Sequence, residues 1–212
     1  MLKSKVVWVF ALVVALSAAP ALADFVPIAM PDAAYLASTT KLPVTVSDGT
    51  MVSSLSDADL TVSFSHALQA ATVPTSWATW SSPPFSESAT PRVLYDSSTT
   101  VRLDLSTPAK TFGLEMEPNV HALYPMTADF YNGASLVGSV SMSVDGDAGA
   151  RLFAGATTSE QFTHVVLSTT SGAGGYALAQ VRYGNLIPEP ATLLLLGSGI
   201  VGAFAYRKRR KK

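Results

Sequence analysis

The chain has 212 residues, no cysteine, 48% hydrophobic residues and a formal net charge of −1 from 14 Lys+Arg and 15 Asp+Glu. Without cysteine there is no disulfide scaffold, no thiol nucleophile and no cysteine-ligated metal. The near-neutral total hides a division: residues 24–187 keep 6 of the 14 cations and 14 of the 15 acids, a net charge of −8. Such an acidic body disfavours nucleic acid and anionic lipid, both of which require cationic surface.

Lys3 and Lys5 precede an apolar run from Val6 to Leu16, and Ala21-Leu22-Ala23 follows as a small-x-small pattern. This order predicts a secretory signal peptide over residues 1–23, with Ala21 and Ala23 at the cleavage site and signal peptidase as the processing partner. Residues 24–186 are then the exported body, long enough for one domain with a sizeable core.

The body reads as all-β. Val101–Leu105, Phe112–Glu117 and Ser139–Val144 alternate apolar with polar residues, the mark of half-buried strands. Leu42–Val46, Leu60–Ser65, Arg92–Tyr95, Thr127–Tyr131, Phe162–Ser168 and Tyr176–Tyr183 are further strands, rich in Thr, Val, Phe and Tyr. Asn132-Gly133 predicts a type I′ hairpin turn between Thr127–Tyr131 and Leu136–Val144, and Asp48-Gly49, Asp145-Gly146 and Gly172–Gly175 mark other turns. The pattern predicts an antiparallel β-sandwich of jelly-roll type. Helical periodicity is confined to the two terminal segments. Val73–Pro91, rich in Pro and Ser, is the long loop.

Candidate chemistry in the body is sparse. Trp77, Trp80 and Phe85 lie on that loop, where exposed rings would stack on sugar faces and buried ones would cover the core. Asp145 and Asp147 offer oxygens to Ca²⁺, as do Asp57 and Asp59, but one Asp-x-Asp falls short of the six to eight ligands calcium takes, and Asp-Gly is an ordinary turn. His66, His121 and His164 are scattered without zinc-binding spacing. The body has no Gly-x-Ser-x-Gly elbow. Glu115 and Glu117 share one face of a strand, whereas glycosidase carboxylates oppose one another across a cleft. The expectation is a non-enzymatic body without a cofactor. The alternatives are a secreted carbohydrate-binding module and a secreted hydrolase.

Pro188 and Pro190 block a helix from running back into the body. Ala191–Tyr206 is uncharged and as a helix would rise about 24 Å, a little short of a hydrocarbon core of roughly 30 Å. Arg207, Lys208, Arg209, Arg210, Lys211 and Lys212 would stay in the cytoplasm by the positive-inside rule. The expected transmembrane segment is 191–206, with a basic tail at 207–212. Gly197–Gly202 spells G-x-G-x-x-G but lacks a surrounding βαβ unit, so its glycines read as small residues for helix packing.

Pro188-Glu189-Pro190, an apolar helix and a terminal Arg/Lys cluster together resemble the PEP-CTERM sorting signal, over residues 187–212. The resemblance implies processing by exosortase, a membrane protease-transpeptidase, with Pro188, Glu189 and Pro190 as the recognition element. It also implies an exopolysaccharide-producing, Gram-negative-type host, transient anchoring in the inner membrane, and delivery to the cell surface or extracellular matrix. Extracellular polysaccharide is then a candidate partner. The same tail occurs on some ice-binding proteins, but the Thr residues here are scattered rather than arrayed. Phe112–Tyr183, with its TFGLEMEPN, ADFYNGASLVGS and GARLFAG phrases, resembles the β-sandwich ectodomains found ahead of this tail. Ala179-Gln180 stands where some of those domains carry an acidic or Asn-containing pair.

Overall fold

The computed structural model describes residues 25–185. The expected signal peptide with Ala21 and Ala23, Pro188–Pro190, the apolar segment 191–206 and Arg207–Lys212 lie outside the described residues. Among those described, no helix is long and apolar enough to cross a membrane.

The elements are β1 (Val26–Ile28), α1 (Ala33–Ser38), β2 (Thr40–Lys41), β3 (Met51–Ser56), β4 (Thr61–Thr72), β5 (Arg92–Asp96), β6 (Thr100–Ala109), β7 (Thr111–Pro118), β8 (Leu123–Asn132), β9 (Ser135–Asp145), β10 (Arg151–Ala156), β11 (Phe162–Thr169) and β12 (Tyr176–Gly184). The all-β, antiparallel expectation is met. The strands join in one sheet of order β1-β10-β7-β12-β5-β4-β6-β11-β8-β9, with β2 added to β12 and β3 to β4. Strand β4 turns the corner. Its Val62–Phe64 pairs with Leu103–Leu105 of β6, and its Gln69–Thr72 pairs with Arg92–Tyr95 of β5. The sheet curls until its far strands β9 and β10 approach one another.

Phe25 fills the seam. A Cβ added to Gly138 of β9 or Gly155 of β10 would lie 2.1 Å from a Phe25 ring carbon, so both glycines are spaces the ring needs. The ring also packs on Phe130 and Phe162, with centroids 5.2 and 6.1 Å away. The interior holds Leu94, Leu103, Phe112, Leu114, Met116, Phe153 and Leu178, all with essentially no exposure. Each such side chain contributes about 1.5–3 kcal/mol by leaving water.

Strand β7 positions the site. All eight of its residues are buried. Phe112, Leu114 and Met116 face the interior, while Gly113, Glu115 and Glu117 alternate onto the outer face. Helix α1 and the 73–91 loop cover that outer face. Asp32 caps α1 by accepting from the Tyr35 N–H at 2.8 Å. The Tyr35 hydroxyl lies over Gly113, 2.6 Å from where a Cβ would stand.

Several local expectations change. Leu42–Val46 is not a strand; the ladder ends at Lys41 and one last bond from the Leu42 N–H to the Val181 carbonyl (2.9 Å), beyond which Pro43 has no N–H to give and β12 bulges between Ala179 and Arg182. The β8–β9 hairpin turns on Gly133-Ala134, because Asn132 pairs with Ser135. Only Gly133 has positive φ (58°), the pattern of a II′ rather than a I′ turn. Strands β1, β2, β3 and β10 and helix α1 add to the expected set.

Candidate functional site

Two carboxylates beneath a tryptophan-bearing loop form the most chemically concentrated region of the body. Glu115 is 1% exposed and Glu117 has no exposure. Four donors surround Glu115. Its Oε2 accepts from Trp80 Nε1 (2.9 Å), Ser86 Oγ (2.5 Å) and Gln180 Nε2 (3.1 Å), and its Oε1 accepts from the Glu87 N–H (2.7 Å). Glu117 Oε2 accepts from Trp77 Nε1 (2.8 Å), and its Oε1 accepts from the Gly149 N–H (3.1 Å). The Thr79 hydroxyl stands 3.4 Å from Glu117 Oε1 and 3.2 Å from the Gly146 carbonyl.

The reason for this arrangement lies in the loop. Each indole carries one N–H, which must find an acceptor when buried. Trp77 and Trp80 pack their rings against Ala71, Val73, Val93, Ala150, Ala177 and Ala179, and the carboxylates take the two N–H groups. Burial raises the Glu115 carboxyl above its ordinary range, while Ser86, Trp80, Glu87 and Gln180 pull against that rise. Burial pushes Glu117 up to about 7, opposed by its bonds from Trp77, Gly149 and Thr79. The two carboxyl groups act as acceptors that tie down the loop's indole, hydroxyl and backbone N–H donors. Glu115 itself is almost wholly shielded from solvent, with three donors on Oε2 and one on Oε1.

Glu87, from the same loop, closes the edge. It is bonded by Lys41 Nζ (2.7 Å) and by Arg182 Nε (2.8 Å). Burial acts to raise the Glu87 carboxyl, but these two cations together outweigh it and hold it below its usual range. Gln180, beside them on the β12 bulge, is buried and has φ of 54°, a left-handed conformation rare outside glycine.

The three loop aromatics do not share a surface. Trp77 and Trp80 are 8% and 5% exposed, whereas Phe85 is 48% exposed and has the Arg151 guanidinium 4.5 Å above its ring. Only Phe85 is open to a ligand, and one of its faces carries that cation. Asp145 and Asp147 form a turn in which Asp145 Oδ1 accepts the Asp147 N–H at 3.0 Å. Asp57 accepts from the N–H groups of Asp59 and Leu60 and from the Tyr183 hydroxyl. Among the described residues no group of three or more His, Cys, Asp or Glu side chains could hold a metal ion.

A Ser–His–Asp grouping does occur. His66 Nε2 lies 2.8 Å from Asp96 Oδ2 and 3.2 Å from Ser98 Oγ. Asp96 and Ser98 both address Nε2, while the Ser65 hydroxyl stands 3.3 Å from Nδ1 and also accepts the Arg102 N–H at 3.1 Å. Sequence reasoning placed Glu115 and Glu117 on one strand face but not their burial. The available signal was the pairing of two indoles three residues apart with two acids two residues apart.

At the opposite end of the sheet, Thr111 pairs with Gly184 of β12 and with Ala156 of β10, and Ala156 pairs with Val26 of β1. One rung of the sheet thus carries both ends of the described body.

No curated protein matches the chain. Solved structures with similar regions include the enzymatically active domain of bacteriophage CBA120 tailspike protein 4, at 14% identity and TM-score 0.32, covering 61% of this chain and 20% of that one. They also include a family two carbohydrate esterase from Cellvibrio japonicus, at 12% identity and TM-score 0.25, covering 78% of this chain and 36% of that one. The chain therefore spans a fifth to about a third of the lengths of these two. Residues 186–210 match the family model for the PEP-CTERM protein-sorting motif, which implies an exported protein targeted to exosortase. The chain carries a PEP-CTERM sorting motif that begins two residues after β12 ends.

Proposed function

We propose that this is a cell-surface or extracellular-matrix protein whose folded body is cargo for its own sorting tail. The observation that carries this reading is the junction: β12 ends at Gly184, Asn185 follows, and the motif starts at residue 186. The body is thus attached to the tail through a single residue. Residues 1–23 start export as a cleaved signal peptide. The apolar segment 191–206 halts translocation in the inner membrane of a Gram-negative-type cell, and Arg207–Lys212 hold the end in the cytoplasm. Exosortase then acts near Pro188-Glu189-Pro190.

We read the body as a non-enzymatic, jelly-roll-like sandwich. Its carboxylates support this, since both are buried and accept from the indole, hydroxyl and N–H donors packed around them. A sugar-stacking role would rest on Phe85, the one exposed ring of the three loop aromatics.

The test is replacement of Pro188, Glu189 and Pro190 together by alanine, followed by fractionation of the producing cells. The variant is expected to accumulate in the inner membrane at its unprocessed mass. Surface delivery and processing equal to the unsubstituted protein would refute the assignment.

A further inference from the structure

The cations of the body are not spread evenly. The described residues hold six of them, namely Lys41, Arg92, Arg102, Lys110, Arg151 and Arg182. Lys41 and Arg92 both line one cavity of about 330 Å³, which also borders Leu42, Ser88, Pro91 and Gln180. Arg182 stands directly opposite Lys41 in the β2–β12 pairing. Half the cations of a strongly acidic body thus gather at one corner.

Two carboxylates answer them there. Glu87 takes Lys41 and Arg182, and Asp48 takes Arg92 at 2.9 Å. Asp48 is also bonded by the hydroxyls of Thr72 (2.7 Å) and Ser76 (2.5 Å), so its charge is divided among three partners. A third acid, Glu115, lies behind Gln180 and is already enclosed by its own donors. Of the residues that line the cavity itself, Lys41 and Arg92 are cations and none is an acid; their paired carboxylates Glu87 and Asp48 stand outside the lining.

Two further features point to a missing acceptor. Arg92 Nε is buried with no hydrogen-bond partner. The same guanidinium is held through its Nη2 by the Val46 carbonyl and Asp48, so a carboxylate reaching Nε would supply an acceptor to the one atom that has none. Gln180 holds its left-handed backbone at the cavity wall, on a bulge, where strain and irregular pairing commonly mark binding sites. Its Nε2 is spent inward on Glu115 and Ser86, which leaves its Oε1 to accept from a ligand hydroxyl.

We propose that the cavity between residues 41–44 and 88–92 binds a small organic anion, with Arg92 and Lys41 holding its carboxylate and Leu42 and Pro91 packing on its carbon skeleton. The volume lies at the lower end of the range for small-molecule sites and suits a ligand the size of one sugar. A sugar acid and a simple carboxylic acid share the chemistry that Arg92 and Lys41 would recognise.

The inference goes beyond the sorting role and is tested in vitro, so it stands apart from tail processing. The full chain, held in non-ionic detergent micelles, is titrated calorimetrically with galacturonate, succinate and galactose at low and high salt. Galacturonate or succinate is expected to saturate below about 10 mM, with weaker binding at high salt, and galactose is expected not to bind. Preference for galacturonate identifies a sugar acid, and equal binding of succinate identifies the carboxylate alone as the determinant. Arg92→Gln should weaken binding about ten-fold or more through loss of a charge-assisted contact. Lys41→Gln, at an exposed position that leaves the Asp48 pair intact, should weaken it about three-fold or more. Lys110→Gln removes the same charge elsewhere and should leave affinity unchanged. Galactose binding as well as galacturonate, no saturation by either anion, or equal loss in Lys110→Gln would overturn the proposal.

Discussion

Raising the pH from about 4.5 to about 7 should weaken the hold on the 73–91 loop, because Glu117 ionises there only at a cost. Its folded-state value is pushed up to about 7 by burial, against an ordinary 4.5. Between those values the folded chain binds more protons at this site than the unfolded chain does. Stability from this group is therefore fully present below about 4.5, falls through the window, and is flat above about 7. The separation corresponds to at most about 3 kcal/mol, and relaxation of the surrounding donors around the ionised carboxylate reduces this to about 1–2 kcal/mol. Glu117→Gln removes the titration while keeping the shape. The assay is urea unfolding followed by tryptophan fluorescence, at pH values from 4.5 to 8, on the full chain in micelles. Stability of the unsubstituted protein relative to the variant should fall by about 1–2 kcal/mol across the window. His164, lowered chiefly by its burial, titrates with the opposite sign but is common to both proteins and cancels. A difference that stays constant, or that grows in favour of the unsubstituted protein as pH rises, would refute the reasoning.

Trp77→Phe keeps most of the packing and deletes the N–H that Glu117 accepts; it should cost about 1.5–3 kcal/mol in the same unfolding assay. Gly155→Ala would drive a Cβ to 2.1 Å from the Phe25 ring and should cost about 1–3 kcal/mol. The double variant with Phe25→Ala should cost clearly less than the sum of the single changes, because the clash is then gone. Glu87→Gln should destabilise by about 1–3 kcal/mol at neutral pH. Because Arg182 and Lys41 hold Glu87 below its usual range despite burial, that difference should close as pH falls through its depressed value.

Much of the fold was legible where one strand face is wet. Val101–Leu105 alternates between buried and less buried positions as its sequence suggests, and β8–β9 form the hairpin that Asn132-Gly133 announces, shifted by one residue. Strands covered on both faces were harder to read. In β10, Leu152–Ala156 are all buried, and Gly155 and Ala154 are small because Phe25 and Tyr35 crowd them, so no alternation survives. A register break between Val52 and Ser54 spoils the alternation of β3. Helix α1 has six residues, too few to show a helical period. Glu115 and Glu117 carry the same lesson at the site: charged residues at alternate positions read as a wet face until a remote loop brings donors to cover them. The tail was legible because its signal is linear and needs no tertiary partner.

The central claim is that the body travels on a removable sorting tail, and the most direct measurement is the intact mass of the protein recovered from the envelope and medium of its native cells. The account predicts a species lacking residues 1–23 and ending near Pro188–Pro190. A recovered protein that retains residues 191–212 would contradict it.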